Sequence, residues 1–238
     1  MAEPLTLAVA QPRCVAFDVT ANAQAHATAI RAARARVVVF PELSLTGYEL
    51  SAPVVDHALL GPIVDACAEL GSLALAGAPV DGPGIGMLAI DGSGVRVAYR
   101  KMNLGGDEPR SFGPGPAPAV LEVQGWRLGL GICKDTGVPA QSAATAALGI
   151  DVYVAGLVDH PHEAVIQEQR ARRIAADHGV FVAFASFAGP AGGDYAETAG
   201  RSGIWSPDGR VIARAGATPG EIARATLRPS PKTLRPSP

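Results

Sequence analysis

Trp126-Arg-Leu-Gly-Leu-Gly-Ile-Cys133-Lys-Asp-Thr-Gly-Val-Pro139 decides how this 238-residue chain is read. It begins as an apolar, strand-like run and ends on a cysteine. A turn over Lys134–Gly137 follows, and then the Ala-rich segment Pro139–Leu148, which is predicted to be a helix. A side chain on such an elbow projects from the end of a sheet, with neighbouring backbone N–H groups aimed at whatever it attacks. A helix N-terminus at this place favours a thiolate. The competing reading is structural, because free cysteines are among the most buried residue types.

Working outward, the apolar runs alternate with helical stretches. Leu5–Ala10 is predicted as a strand, residues 21–35 as a helix with cap residues at Asp18–Asn22, and Val37–Phe40 as a buried strand. Pro41-Glu42 follows at once. That places an acid at the carboxyl end of a strand, where open α/β sheets carry their sites. Residues 62–70 read as a helix and residues 73–78 as a strand. Residues 85–90 and 95–99 flank Asp91-Gly-Ser-Gly94, a hairpin signal, so the sheet is expected to be mixed. The second hairpin strand ends on Lys101. A long Gly- and Pro-rich loop over residues 102–118 contains Glu108 and Phe112.

Residues 119–123 and 127–132 form a predicted strand pair. Strands at 151–155 and 180–186 flank a helix over 163–178. A hairpin brackets Pro207-Asp-Gly209, and a last strand covers 221–227. Asp159-His-Pro-His-Glu163 superficially resembles a metal cluster but lacks a third partner at helical spacing, so a capped helix start or a pocket wall is the better reading. One domain is expected over residues 1–228. Thr-Leu-Arg-Pro-Ser-Pro occurs twice, at residues 226–231 and 233–238, and the tail over residues 229–238 is expected to be extended or disordered, because alternating prolines form neither helix nor central strand.

Composition narrows the function. The chain is 48% hydrophobic with a net charge of −2, which offers no electrostatic case for nucleic acid or an anionic membrane. No apolar run approaches the ~20 residues that span a bilayer. No basic region precedes Leu5–Ala10, so a signal peptide is not expected. Three cysteines without metal spacing suggest a reduced, cytoplasmic compartment. Only three of the 20 basic residues are lysines, Lys101, Lys134 and Lys232. That is a hint that lysine is kept where a compact ammonium is needed.

Glu42, Lys101 and Cys133 thus each fall at a strand end. Together they suit acyl transfer at a carbon–nitrogen bond: a thiol attacks, a carboxylate moves protons, and an ammonium holds the oxyanion. At these residues the chain resembles the nitrilase superfamily of carbon–nitrogen hydrolases. Phe40-Pro-Glu42-Leu-Ser-Leu-Thr-Gly-Tyr48 resembles its glutamate motif. Tyr99-Arg-Lys101-Met-Asn-Leu, followed by Glu108-Pro-Arg-Ser-Phe112-Gly-Pro-Gly115, resembles its lysine motif. Gly131-Ile-Cys133-Lys-Asp135 resembles its cysteine motif, and Gly200-Arg-Ser202-Gly-Ile-Trp-Ser-Pro207-Asp-Gly209 its late hairpin.

The resemblance covers roughly residues 5–226. It implies an α/β fold, an α-β-β-α sandwich with mixed sheets, and pairing as a homodimer or higher homo-oligomer. It implies Glu42 as general base, Lys101 as oxyanion-stabilising cation and Cys133 as nucleophile. Glu108 would support the lysine and line the pocket with Tyr48, and the Lys134 N–H would be the second oxyanion donor. No metal or organic cofactor is implied.

The chain departs from the family pattern at several positions. Lys134 stands where an aromatic residue is usual, and Val138-Pro139-Ala140 lacks an acid. Asp177-His178 and Ser186 replace other family residues. The Lys134 side chain would lower the thiol pKa, select an anionic substrate, or turn away and leave only its N–H in use. The expected function is hydrolysis of a small amide or N-carbamoyl compound. Asp135 favours the amidase branches over true nitrilases. A papain-like hydrolase lacks a placed His or Asn, and a binding or regulatory domain leaves the three kept residues without a role.

Overall fold

In the computed structural model, residues 3–229 are described; the tail expected beyond residue 229 lies outside them. Among the described residues, twelve strands and four α-helices follow in chain order. The first half holds β1 (Leu5–Ala10), α1 (Val19–Ala33), β2 (Val37–Val39), α2 (Gly61–Leu70), β3 (Leu73–Val80), β4 (Gly84–Asp91) and β5 (Gly94–Arg100). The second half holds β6 (Val120–Val123), β7 (Trp126–Ile132), α3 (Pro139–Ala147), β8 (Val152–Leu157), α4 (Ala164–His178), β9 (Phe181–Ser186), β10 (Gly203–Trp205), β11 (Val211–Arg214) and β12 (Ile222–Leu227). One sheet has the order β12-β1-β2-β3-β4-β5, the other β11-β10-β9-β8-β7-β6.

Each sheet has a parallel centre, β1-β2-β3 in one and β7-β8-β9 in the other, with antiparallel strands outside it. The mixed character expected from the hairpins is therefore present in both. The last strand of the described residues, β12, returns to pair with β1, so the first sheet is closed by residues more than 200 positions apart.

Strand alternation builds the layers. On β1, Leu5, Leu7 and Val9 face the other sheet, while Ala8 and Ala10 face the helices. On β8, Val152 and Val154 face inward, and Tyr153 and Ala155 face α4. Nearly every position of these central strands is buried, as expected of strands covered on both faces. α1 and α2 cover the first sheet through Ala27, Ile30, Ile63 and Ala66, and α4 covers the second through Ala171, Ile174 and Ala175. The result is the expected α-β-β-α sandwich.

Helix α1 starts two residues earlier than the apolar pattern predicts. The Asp18 carboxylate accepts from the Ala21 N–H and fixes the first turn, and Arg34, at φ 45°, ends the helix. Because the inter-sheet core is continuous, Leu130→Ala in β7 is expected to lower stability by about 2–5 kcal/mol. Val165→Ala, at a position 63% exposed, is expected to change it by about 0.5 kcal/mol or less. Chemical denaturation of the two variants checks this.

Candidate active site

Three strand ends converge. Glu42 follows β2, Lys101 follows β5, and Cys133 follows β7, so two come from the first sheet and one from the second. Lys101 Nζ lies 2.6 Å from Glu42 Oε1 and 2.6 Å from Glu108 Oε1. Tyr48 Oη donates to the same Glu108 oxygen at 2.6 Å, and Glu108 Oε2 accepts from the Gly105 N–H at 2.8 Å. Lys101, Glu42 and Glu108 are each only 1% exposed. A buried ion is tolerated only when it is paired and hydrogen-bonded. Here one ammonium holds two carboxylates, and the second carboxylate is itself held by a phenol and a backbone N–H. An ammonium has three donors. Two are used, which leaves one for an incoming group.

Cys133 opens a short 3-10 turn, Cys133–Gly137, and has φ 38°, a left-handed conformation unusual for a residue with a side chain. Its thiol donates to the Val158 carbonyl at 3.3 Å. The Cys133 thiol also faces Glu42, whose Oε2 is buried with no hydrogen-bond partner to other polar atoms among the described residues. Burial, then the Glu42 and Asp159 carboxylates, push the thiol well above its ordinary pKa, with Lys101 opposing them. These effects, burial the largest of them, run against the thiolate that a helix N-terminus would favour.

Burial also pushes Glu42 up, to about 7, against the attraction of Lys101 and with help from Glu108. For Lys101, burial acts downward, but Glu42, Cys133 and Glu108 overcome it and hold the ammonium above its ordinary range.

The Pro41-Glu42 backbone runs between the two sheets through a gap that two glycines leave open. A Cβ on Gly77 of β3 would lie 2.2 Å from Leu43 N and 2.7 Å from the Glu42 carbonyl carbon. A Cβ on Gly156 of β8 would lie 2.6 Å from Phe40 O and 2.8 Å from Glu42 N. Real Cβ atoms do not come this close to backbone. Leu43, at φ 50°, turns the chain sharply just after the acid. Below the turn, buried His26 bonds the Asn22 carbonyl through Nδ1 at 2.7 Å. A carbonyl only accepts, so Nδ1 carries the proton and Nε2 takes the Ser44 hydroxyl at 2.9 Å.

Tyr48 and Tyr195 belong both to the apolar cluster on which Cys133 packs and to the wall of an open cavity of about 660 Å³. Tyr195 meets Tyr48 edge-on with centroids 4.9 Å apart and stacks on His160 at 4.4 Å. Glu49, Asp194 and the exposed Asp107–Arg110 pair also line this cavity.

His160 is thus a pocket wall, and the Glu163 carboxylate accepts from its N–H at 2.9 Å, a capped start. Among the described residues, no group of three or more His, Cys, Asp or Glu side chains is placed to hold a metal, and no helix is long and apolar enough to cross a membrane. Lys134 is exposed, with its stem against Gly105. Ser202 of the late hairpin is buried, and its hydroxyl bridges the N–H and carbonyl of Ser186. Sequence reasoning missed Gly77, Gly156, His26 and Tyr195 as parts of the site, whereas His160 is the pocket wall and capped start expected of its segment.

Over residues 6–231 the chain matches the family described as carbon-nitrogen hydrolase. It is 31% identical over 216 residues, 84% of this chain and 75% of the relative, to "Hydrolase in pqqF 5'region" of Pseudomonas protegens. It is 34% identical over 125 residues to the (R)-stereoselective amidase of a Pseudomonas species, covering 52% of this chain and 44% of that one. An amidase from Nesterenkonia sp. superposes with a TM-score of 0.86 at 24% identity, covering 99% of this chain and 94% of that one, a likeness of fold. The chain belongs to the carbon–nitrogen hydrolase family.

The gap at Glu42 generates a test. Gly156→Ala and Gly77→Ala should each cost about 1–3 kcal/mol by overpacking and displace the acid. Gly61→Ala, at a helical position where a Cβ meets nothing within 4 Å, should be neutral to stabilising. Thermal melts of the three variants, compared with wild type, decide whether the gap is needed.

Proposed function

We propose that this hydrolase cleaves a small amide or N-carbamoyl compound through a thioester on Cys133. The observation that carries the reading is the buried Lys101 ammonium, bonded to Glu42 and Glu108 with one donor left over. Cys133 Sγ attacks the carbonyl carbon, its proton passes to Glu42, and the carbonyl electron pair moves onto oxygen. Lys101 Nζ and the Lys134 N–H hold that oxyanion; the N–H lies in the first turn of the 3-10 segment, where a helix offers no internal acceptor. As the C–N bond breaks, the leaving nitrogen takes the proton from Glu42. Water, deprotonated by Glu42, then attacks the thioester carbonyl and releases the acid and the thiol.

The exposed Lys134 side chain supports a role for its N–H alone. No buried ammonium there has to be matched by an anionic substrate. Glu108 and Tyr48 orient Lys101 and shape the pocket. Pairing of two copies remains part of this reading, and sedimentation velocity tests it.

Cys133→Ala should abolish ammonia release from a panel of small amides, ureas and nitriles, with its melting temperature kept. Intact-mass spectrometry should detect an acyl adduct in wild type only. Release by Cys133→Ala, or turnover of nitriles alone, would overturn the reading. Lys101→Arg should be inactive, because a planar fork cannot occupy the ammonium's place between the two carboxylates. The acid limb of kcat/KM should fall near pH 7 rather than near 4.5, with activity rising as pH increases through it, because a base works only when ionised. A limb below pH 5 would remove Glu42 from that role.

A further inference from the structure

We infer that Asp135 is the positioning residue that registers the oxyanion cation against the nucleophile across the two sheets. Its carboxylate is fully buried. Oδ1 accepts from the Asn103 N–H and from Asn103 Nδ2, both at 2.9 Å. Oδ2 accepts from Tyr99 Oη at 2.8 Å and from the Ile132 N–H at 3.0 Å. Tyr99 and Asn103 stand two residues before and two after Lys101. Ile132 immediately precedes Cys133, and Asp135 sits on the cysteine's own turn. One side chain therefore grips both flanks of the cation and both sides of the nucleophile.

The topology makes this grip necessary. Lys101 follows β5, at one edge of the first sheet, and Cys133 follows β7 in the second. Among the described residues no strand pairs across the two sheets, so no backbone ladder sets the distance between these ends. The four bonds need a group that only accepts and does so four times, which an ionised carboxylate does and an amide does not.

The link continues inward. Gln141 of α3 donates through Nε2 to Tyr99 Oη at 3.2 Å, and Tyr153 of β8 donates to Gln141 Oε1 at 2.6 Å. Tyr99 is thereby anchored to the second sheet twice. Asp135 touches no reacting atom in the proposed chemistry. It acts by where it holds Lys101 and Cys133.

The inference rests on the proposed thioester chemistry, and its test keeps the two apart. Asp135→Asn retains shape but sets an amide N–H against the Ile132 N–H. In steady-state assays of a turned-over amide, kcat is expected to fall about 10²-fold with KM little changed, the cost of a small misplacement of reacting groups. Tyr99→Phe removes one arm and should give a smaller fall of the same kind. Alkylation of Cys133 by iodoacetamide, read by peptide mass spectrometry across pH, needs no substrate. Its rate profile should shift in Asp135→Asn, while those of Cys14 and Cys67 stay at wild type.

Absence of turnover in wild type would remove the proposed function and leave the alkylation result to judge Asp135. An unchanged Cys133 alkylation profile would overturn the positioning role, as would wild-type kcat in Asp135→Asn. A change in all three cysteines together would do the same by showing general loosening.

Discussion

A buried ammonium between two buried carboxylates is the constraint from which this site follows. Each of the three charges would be expensive alone, and removing one partner from such a group leaves the others uncompensated. Lys101, Glu42 and Glu108 are therefore not three independent choices. Glu108 needs Tyr48 and the Gly105 N–H for its remaining capacity, which brings the glutamate-motif loop and the long loop after β5 to the same place. The loop's Gly- and Pro-rich sequence is what lets residues 101 to 108 double back over seven positions and bond each other.

The second constraint is room. The acid must reach the cation from a strand buried between two layers, and the space is made by omission at Gly77 and Gly156, one on each sheet. Leu43, next to Glu42, and Cys133 are both non-glycine residues with positive φ. Strained backbone of this sort persists only where its surroundings over-determine it. For Leu43 the surroundings are the two glycine-lined walls and the His26–Ser44 bond below. For Cys133 they are the Asp135 bonds and the Val158 carbonyl.

Much of this was legible in the sequence because it is local. Apolar runs gave the strands, Asp91-Gly-Ser-Gly94 and Pro207-Asp-Gly209 gave the hairpins, and a reactive residue at each of three strand ends pointed to the site. What could not be read depends on distance in the chain. Nothing in residues 222–227 says that they pair with β1, more than 200 positions away. Gly77 and Gly156 have no turn to make, so their reason lies in a neighbour that only the fold supplies. Asp135 reads in the sequence only as a mark of the amidase branches, because its donors come from residues 99, 103 and 132, two of them some 30 positions away. For Lys134 the sequence leaves three roles open, and the 3-10 turn decides among them by rotating its side chain out to solvent.

The same burial that makes the cluster costly is what suits it to the proposed chemistry. In water a carboxylate is too weak a base to draw a proton from a thiol. Removing Glu42 from water raises it to about 7, and Lys101 limits the rise so that the group is still ionised above neutrality. The thiol, pushed up by burial and by the same carboxylate, keeps its proton until a carbonyl arrives. Proton transfer and attack then become one event: the thiol gains nucleophilicity only as Glu42 takes the proton, and Glu42 becomes neutral as negative charge appears on the substrate oxygen. The cluster holds two negative charges and one positive before attack and has the same total after it, because the charge lost at Glu42 reappears on the oxyanion beside Lys101. A buried site in which net charge is conserved through the step needs no water to reorganise around it, and that is the condition under which fixed dipoles and a fixed ammonium act most strongly.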